Sequence, residues 1–206
     1  MLPQPLIDQI LPYYRAQDPG HDWAHIMRVV KTARALATEE NADLAVVVPA
    51  AYLHDIVNIP KNHPDRARAS ELAADKAIKL LGEHGYDENK FPAIHQAIVE
   101  HSFSRGLTPS SIEAACVQDA DRLDALGAIG VLRCAAVNVE MKTAFYDPED
   151  PFASRRPLDD RSWMVDHYYV KLLKLTETLQ TAAAKNEGKK RVEFMRSFLD
   201  QLRSEV

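Results

Sequence analysis

Apolar residues recur every three or four positions along most of the chain, which is the spacing of one face of an α-helix. The pattern predicts eight helices, over about residues 4–14, 21–40, 42–57, 64–84, 88–103, 110–143, 161–175 and 177–204. Alternating apolar segments joined by Gly-containing hairpin turns do not occur in the sequence. We therefore predict an all-α fold, a single-domain helical bundle.

Prolines and glycines set the expected helix boundaries. Pro49 lies inside the third helix and predicts a kink or a restart there. Pro64 is placed in the first turn of the fourth helix, which the pair Gly82 and Gly85 should end. The sixth helix is predicted to continue through Gly127 to about residue 143.

The length of 206 residues fits one domain. Within it we expect an N-terminal helix over 1–17 that packs on the body, a core over 18–144, and a loop with C-terminal helices over 145–206 that completes the same domain. A hydrophobic content of 46% and a net charge of −5 argue against disorder.

Charge and hydropathy exclude several classes of protein. There are 30 acidic against 25 basic residues, so general binding to nucleic acids or to anionic membranes is not expected. No apolar run approaches the roughly 18–20 residues of a membrane span, and the first residues lack a signal-peptide pattern. Cys116 and Cys134 lie in apolar helical context and are expected to stay reduced, which predicts a cytoplasmic protein.

Polar side chains that can bind metals occur on helix faces that should be apolar. His25 shares its stripe with Val29 and Leu36, and the adjacent His54 and Asp55 end a strongly apolar helix. Each segment alone also fits a histidine whose hydrogen bonds are satisfied inside a core, or a simple His–Asp hydrogen bond.

Two further segments add a carboxylate and an imidazole. Asp121 lies on a stripe of small apolar residues, where a carboxylate must be paired or bound to a metal. Asp124 follows one turn later near the same face, and Arg122 is an alternative partner for the buried charge. His101 lies on the apolar face of its helix, whereas His95 is expected at the surface.

Two histidines, two aspartates and no cysteine form the first-choice ligand set. This mixture suits one six-coordinate Mn²⁺, Fe²⁺, Co²⁺ or Mg²⁺ better than a structural zinc. Four protein ligands leave about two positions for water and a substrate oxygen. A water bound there is a nucleophile at neutral pH.

The ordered combination His25, His54-Asp55 and Asp121 resembles the HD-domain superfamily of metal-dependent phosphohydrolases. The resemblance extends to longer phrases: GHDWAHIMRV, AYLHDIVNIPKNHPDRA, IVEHSFSRG, QDADRLDALGAIGVLR and DDRSWMVDHYYVKLLKL. The resemblance covers about residues 18–200, and within the superfamily the chain is similar to one bacterial subgroup. The resemblance implies an all-helical fold, one divalent cation held by these four residues, and in some relatives the cleavage of a nucleoside triphosphate into a monophosphate and pyrophosphate.

Hydrolysis of a phosphoester or phosphoanhydride, most simply of a nucleotide, is therefore the expected activity. Because the chain is acidic, phosphate oxygens need added cationic or polar contacts, and the candidates are Asn58, Lys61 and Lys171. His101 is expected to contact phosphate, to transfer a proton or to support the ligands. Asp124 is expected either to support the ligands or to act as the base for the attacking water.

Three alternatives stay open at this stage. The first is a nucleotide- or effector-binding module without hydrolysis. The second is an oxygenase with two irons, to which His21 and His101 would contribute ligands. The third is a plain helical scaffold. The loop over 145–160, with Arg155 and Arg156, is either a lid over an anionic substrate or a passive connection. The oligomeric state cannot be predicted from this pattern.

Overall fold

The computed structural model describes residues 2–15, 21–57, 59, 63 and 68–206. Its regular elements are helices, and the described residues form no strand beyond one isolated bridge between Ala144 and Trp163. The helices are α1 (Gln4–Arg15), α2 (Trp23–Glu39), α3 (Leu44–Leu53), α4 (Ala69–Glu83), α5 (Phe91–His101), α6 (Ile112–Asp124), α7 (Gly127–Met141), α8 (Met164–Val170) and α9 (Ala182–Glu205). The predicted all-α class is confirmed. In this part of the chain no helix has the length and hydropathy to cross a membrane.

Several helix ends differ from the sequence-based prediction. Pro49 lies inside α3 without ending it, and α3 stops at Leu53 rather than near residue 57. Helix α4 begins at Ala69, and the predicted start at Pro64 lies outside the described residues. Gly85 follows α4 at φ +66°, as a helix-terminating glycine does. At the other end of the chain, a 3-10 segment over Leu172–Thr178 separates α8 from α9.

The predicted continuous helix over 110–143 is wrong, because the chain breaks between α6 and α7. Leu126 is extended at φ −118° and ψ 162°, and Gly127 has φ +72°, in the left-handed region. The N–H groups of Ala125 and Leu126 donate to carbonyls only three residues back, at 3.1 and 3.0 Å. Such bonds tighten the last turn of α6 and end it.

The described chain divides into two compact units. The first unit comprises Met1–Asp121 with Gln180–Ala184, and the second comprises Arg122–Leu179 with Lys185–Val206. In the first unit α2 packs on α3, and α5 packs on both α3 and α4. Its interior is formed by apolar side chains of these helices, and α1 adds Leu6, Ile10 and Tyr14. The predicted division into 1–17, 18–144 and 145–206 stays a prediction.

Asp119 explains why the short segment 180–184 belongs to the first unit. Its fully buried carboxylate accepts hydrogen bonds from the N–H of Gln180 at 2.9 Å and from the N–H and hydroxyl of Thr181, both at 2.8 Å. Glu40 accepts from the N–H of Ala183 at 2.8 Å. Two carboxylates thus satisfy the free N–H groups where α9 begins.

In the second unit, Arg156 holds the loop between α7 and α8. Its guanidinium bonds both oxygens of the buried Asp166, at 2.5 and 3.1 Å, and its Nε lies 3.0 Å from Asp147. The same side chain donates to the carbonyls of Asp150 and Pro157. A guanidinium engaged on this many sides stabilises the loop, so a lid that uses Arg156 on a substrate would first have to break this network.

Candidate metal centre

The C-terminal end of α3 brings His54 and Asp55 into the interior of the first unit. Helix α3 is apolar on all sides and eight of its ten residues are buried, so the residues that follow Leu53 start inside the protein. His54 is fully buried and its Nδ1 lies 2.9 Å from the carbonyl oxygen of Ala51. Because Nδ1–H donates to that carbonyl, Nε2 carries the free lone pair.

His25 approaches from the first turn of α2. The Asp22 carboxylate caps this helix by accepting from the His25 N–H at 2.8 Å, which fixes where the turn begins. His25 is fully buried, and its Nε2 lies 3.4 Å from Nε2 of His54. At this distance the two ring nitrogens can share a proton or face one cation.

Two carboxylates complete the cluster. An Asp55 oxygen lies 3.4 Å from His54 Nε2 and 3.8 Å from His25 Nε2. An Asp121 oxygen, from α6, lies 3.5 Å from His25 Nε2 and 3.9 Å from His54 Nε2. The Asp55 and Asp121 side chains are 19% and 25% exposed, whereas both imidazoles are fully buried. The carboxylate side of the cluster is therefore the side open to solvent.

The donor chemistry and spacing fit a divalent cation. Donors about 2.1 Å from one ion are roughly 3.0–3.4 Å apart in octahedral or tetrahedral arrangements, and the distances of 3.4–3.9 Å found here begin at the upper end of that range and exceed it by at most about 0.5 Å. The groups His25, His54, Asp121 and His54, Asp55, His101 each bring three ligand atoms within 4.8 Å of one another. Two neutral imidazoles and two carboxylates carry a charge of −2, which a divalent cation neutralises.

Burial and neighbouring charges shift the pKa values of three of these donors, His54, Asp55 and Asp121, below their usual values. Burial lowers the pKa of His54 to about 4, so its imidazole is neutral at neutral pH. Burial alone would raise the pKa of Asp55, but the rings of His54 and His101 hold it well below its usual range. Burial alone would also raise the pKa of Asp121, but the rings of His54 and His25 have the larger effect and lower the pKa of that carboxyl. Metal binding needs these protonation states.

His101 is a fifth side chain at the cluster. Its Nε2 lies 3.5 Å from the second Asp55 oxygen, and its Nδ1 lies 2.5 Å from the carbonyl oxygen of Ile98. Burial alone would lower the pKa of His101, but the hydrogen bond to Asp55 raises it overall. The His101 ring thus differs from His54 in favouring the protonated form.

Two of the remaining candidates, Asp124 and Lys171, belong to the second unit. Asp124 is buried and its carboxylate lies 2.7 Å from Nη1 of Arg133 in the second unit. Lys171 belongs to the second unit, where it ends α8 and its N–H donates to the carbonyl of His167 at 3.0 Å. Asn58 and Lys61 lie outside the described residues. A phosphate-binding role for Lys171, Asn58 or Lys61 stays a prediction.

Two buried polar residues that the sequence patterns did not single out anchor the helix of His101. The Glu100 carboxylate accepts from the N–H of Ser110 at 2.9 Å and from its hydroxyl at 3.1 Å. The Gln118 amide donates to the carbonyls of Glu100 at 2.7 Å and Leu107 at 3.0 Å. Gln118 precedes Asp121 by one turn of α6, and Glu100 directly precedes His101. Glu100 and Gln118 could have been identified from the sequence as polar residues one position or one helical turn from a candidate ligand.

Comparisons with known proteins identify a family, a related sequence and related structures. The sequence model of the HD domain matches residues 22–126. The uncharacterized protein YpgQ of Bacillus subtilis (strain 168) is 32% identical over 195 residues, which cover 92% of this chain and 86% of YpgQ. The crystal structure of Bacillus subtilis YpgQ in complex with ADP matches at 30% identity and a TM-score of 0.75, covering 97% of each chain. An HD-superfamily hydrolase from Bacillus thuringiensis matches at 32% identity and a TM-score of 0.74, over 98% of this chain and 97% of that one.

Fold, donor cluster and relatives together define an all-α protein of the HD-domain superfamily with a His/Asp cluster that could hold a metal ion. The chain belongs to the HD domain family. The resemblance drawn from the sequence is thereby confirmed.

Proposed function

We propose that this protein hydrolyses a phosphoester or phosphoanhydride bond of a nucleotide with the help of one divalent cation. The observation that carries the proposal is the convergence of His25, His54, Asp55 and Asp121, from three separate segments, at distances of 3.4–3.9 Å. These four side chains would hold the cation. When bound, it supplies Lewis acidity that lowers the pKa of a water and neutralises phosphate charge.

His101 has the geometry of a proton donor next to these ligands. Its Nδ1 contact with Ile98 fixes the ring, and its Nε2 points to Asp55 at 3.5 Å. We assign His101 two successive tasks: its Nε2–H orients the Asp55 carboxylate before the reaction, and the same proton then passes to the oxygen that leaves phosphorus. Because Asp124 pairs with Arg133, we assign Asp124 a structural role instead of that of the base.

A nucleotide is supported as substrate by one relative. YpgQ was crystallised in complex with ADP, and it shares the fold of this chain along nearly its whole length. The open carboxylate side of the cluster gives a phosphate chain access to the cation. From a nucleoside triphosphate and water, the proposed reaction releases either a nucleoside monophosphate with pyrophosphate or a nucleoside diphosphate with phosphate; from a diphosphate it releases a monophosphate with phosphate.

A metal and nucleotide panel tests this proposal. Protein freed of metal is assayed with Mn²⁺, Co²⁺ or Mg²⁺ and with ribo- and deoxyribonucleoside di- and triphosphates. We expect turnover only with added metal, and detection of phosphate with and without added inorganic pyrophosphatase separates the two product pairs. A nucleotide that raises the melting temperature without product formation would contradict hydrolysis and favour a non-hydrolytic binding module.

Replacing His101 separates proton transfer from metal binding. His101→Gln keeps a polar side chain but removes the ring, and we expect kcat to fall about 10²-fold, the usual size of a general acid's contribution. The Kd for Mn²⁺ should rise by only about tenfold, because His101 orients the Asp55 carboxylate but is not assigned as a ligand. The matched control is His95→Gln on the same helix, whose side chain is 37% exposed and pairs with Asp75. Equal activity of the His101 and His95 variants would contradict the assigned role.

A further inference from the structure

The break after α3 leaves main-chain carbonyls without their usual helical partners. The Ile56 N–H, which would bond the Tyr52 carbonyl in a continuing α-helix, donates to Leu53 instead at 3.1 Å. The Ala51 carbonyl is taken by the ring of His54. The Tyr52 carbonyl, two residues before His54, therefore needs a donor from elsewhere in this buried region.

Tyr14 of α1 supplies that donor. Its hydroxyl donates to the Tyr52 carbonyl at 2.7 Å across 38 positions of sequence, and both residues are buried. Burial, and after it the Asp55 carboxylate, raise the pKa of Tyr14 well above its usual value, so the hydroxyl keeps its proton. Helix α1 lies outside residues 22–126, the segment that matches the family.

Tyr14 also packs at the start of α2. Its ring centroid lies 5.9 Å from that of Trp23, which in turn lies 6.1 Å from Tyr52. Trp23 is the first residue of α2 and precedes His25 by two positions. One side chain of α1 therefore contacts both segments that present imidazoles to the cluster.

We propose that Tyr14 is a positioning residue for the metal centre, which holds the end of α3 so that His54 and Asp55 keep their directions. The inference rests on the proposed function. Without the hydroxyl, the buried Tyr52 carbonyl has one obvious alternative donor, the Ile56 N–H. That exchange would extend α3 and re-aim Asp55 by roughly 20–40°, because the rotation per residue falls from about 120° in a 3-10 turn to about 100° in an α-helix.

The change Tyr14→Phe tests this because it removes one oxygen atom and keeps the ring. We expect the Kd for Mn²⁺, measured by isothermal titration calorimetry on protein freed of metal, to rise about tenfold, as for other groups that orient metal ligands. In the hydrolysis assay, the fold-decrease in kcat should be larger than the fold-change in KM. Measurements at about 10 °C, with circular dichroism matching the wild type, keep the comparison between folded proteins.

Leu6→Ala is the matched control on the same helix. Leu6 is fully buried in α1, so its truncation loosens the packing of α1 but keeps the Tyr14 hydroxyl. We expect a lower melting temperature with a Kd for Mn²⁺ within about twofold of wild type. The inference is overturned if Tyr14→Phe binds Mn²⁺ like the wild type, or if Leu6→Ala weakens binding equally. A wild-type protein that binds no Mn²⁺ would instead contradict the proposed function, and this inference with it.

Discussion

Asp121→Asn is expected to lower kcat/KM for the preferred nucleotide by about 10³-fold or more and to weaken Mn²⁺ binding strongly. Asparagine keeps the shape of the side chain but removes one of the two charges that face the imidazoles of His25 and His54. With one carboxylate left, the cluster would neutralise only half of the charge of a divalent cation. The measurement combines steady-state kinetics with calorimetric titration of Mn²⁺.

Asp75→Asn controls for the loss of one negative charge on the chain. The Asp75 side chain is 70% exposed and pairs with His95, so its replacement should leave kcat/KM and the Kd for Mn²⁺ within about twofold. Mn²⁺ should raise the melting temperature of the wild type and of Asp75→Asn, but hardly that of Asp121→Asn. Activity of Asp121→Asn within a few fold of wild type would show that the carboxylate is not a ligand, as a plain helical scaffold predicts.

Gly130→Ala is expected to cause the largest loss of stability from adding one methyl group. A Cβ atom at this position would lie 2.7 Å from the carbonyl carbon of Ala125 and closer still to its oxygen. The carbonyl carbon and oxygen of Ala125 cannot move away unless the turn between α6 and α7 also moves. We expect the free energy of unfolding to fall by about 3 kcal/mol, and the melting temperature by about 6–12 °C.

Gly82→Ala is the matched control, because it is the same change inside a helix with space for the methyl group. The nearest atoms to an added Cβ at Gly82 belong to the Phe91 ring, at 3.8 Å and beyond. Alanine's better helix propensity should raise stability by about 0.5–1 kcal/mol. A thermal melt followed by circular dichroism compares the two variants, and equal melting temperatures would contradict the close approach at Gly130.

The cluster's members could be predicted from the sequence because each breaks a local rule. His25 and Asp121 lie on apolar stripes, and His54 with Asp55 ends an apolar helix, so each requires a buried partner. The helical class followed from periodicity, which depends on neighbouring residues alone.

The end of α6 and the pairing of distant segments depend on contacts that local patterns do not contain. Helix α6 stops because the chain turns at Gly127 and then passes close to Ala125, although the apolar period continues across the break. The partners of Asp119 lie 61 and 62 positions away, and the partner of Tyr14 lies 38 positions away. Pairing between distant segments cannot be derived from helix periodicity or capping signals.

Anomalous X-ray diffraction from crystals grown with Mn²⁺ shows whether the four side chains bind one cation. We expect one anomalous peak per chain about 2.0–2.4 Å from Nε2 of His25 and His54 and from carboxylate oxygens of Asp55 and Asp121. Two peaks would indicate a dinuclear centre, as in the oxygenase alternative. No peak among these four side chains, in protein soaked at saturating Mn²⁺, would contradict the account.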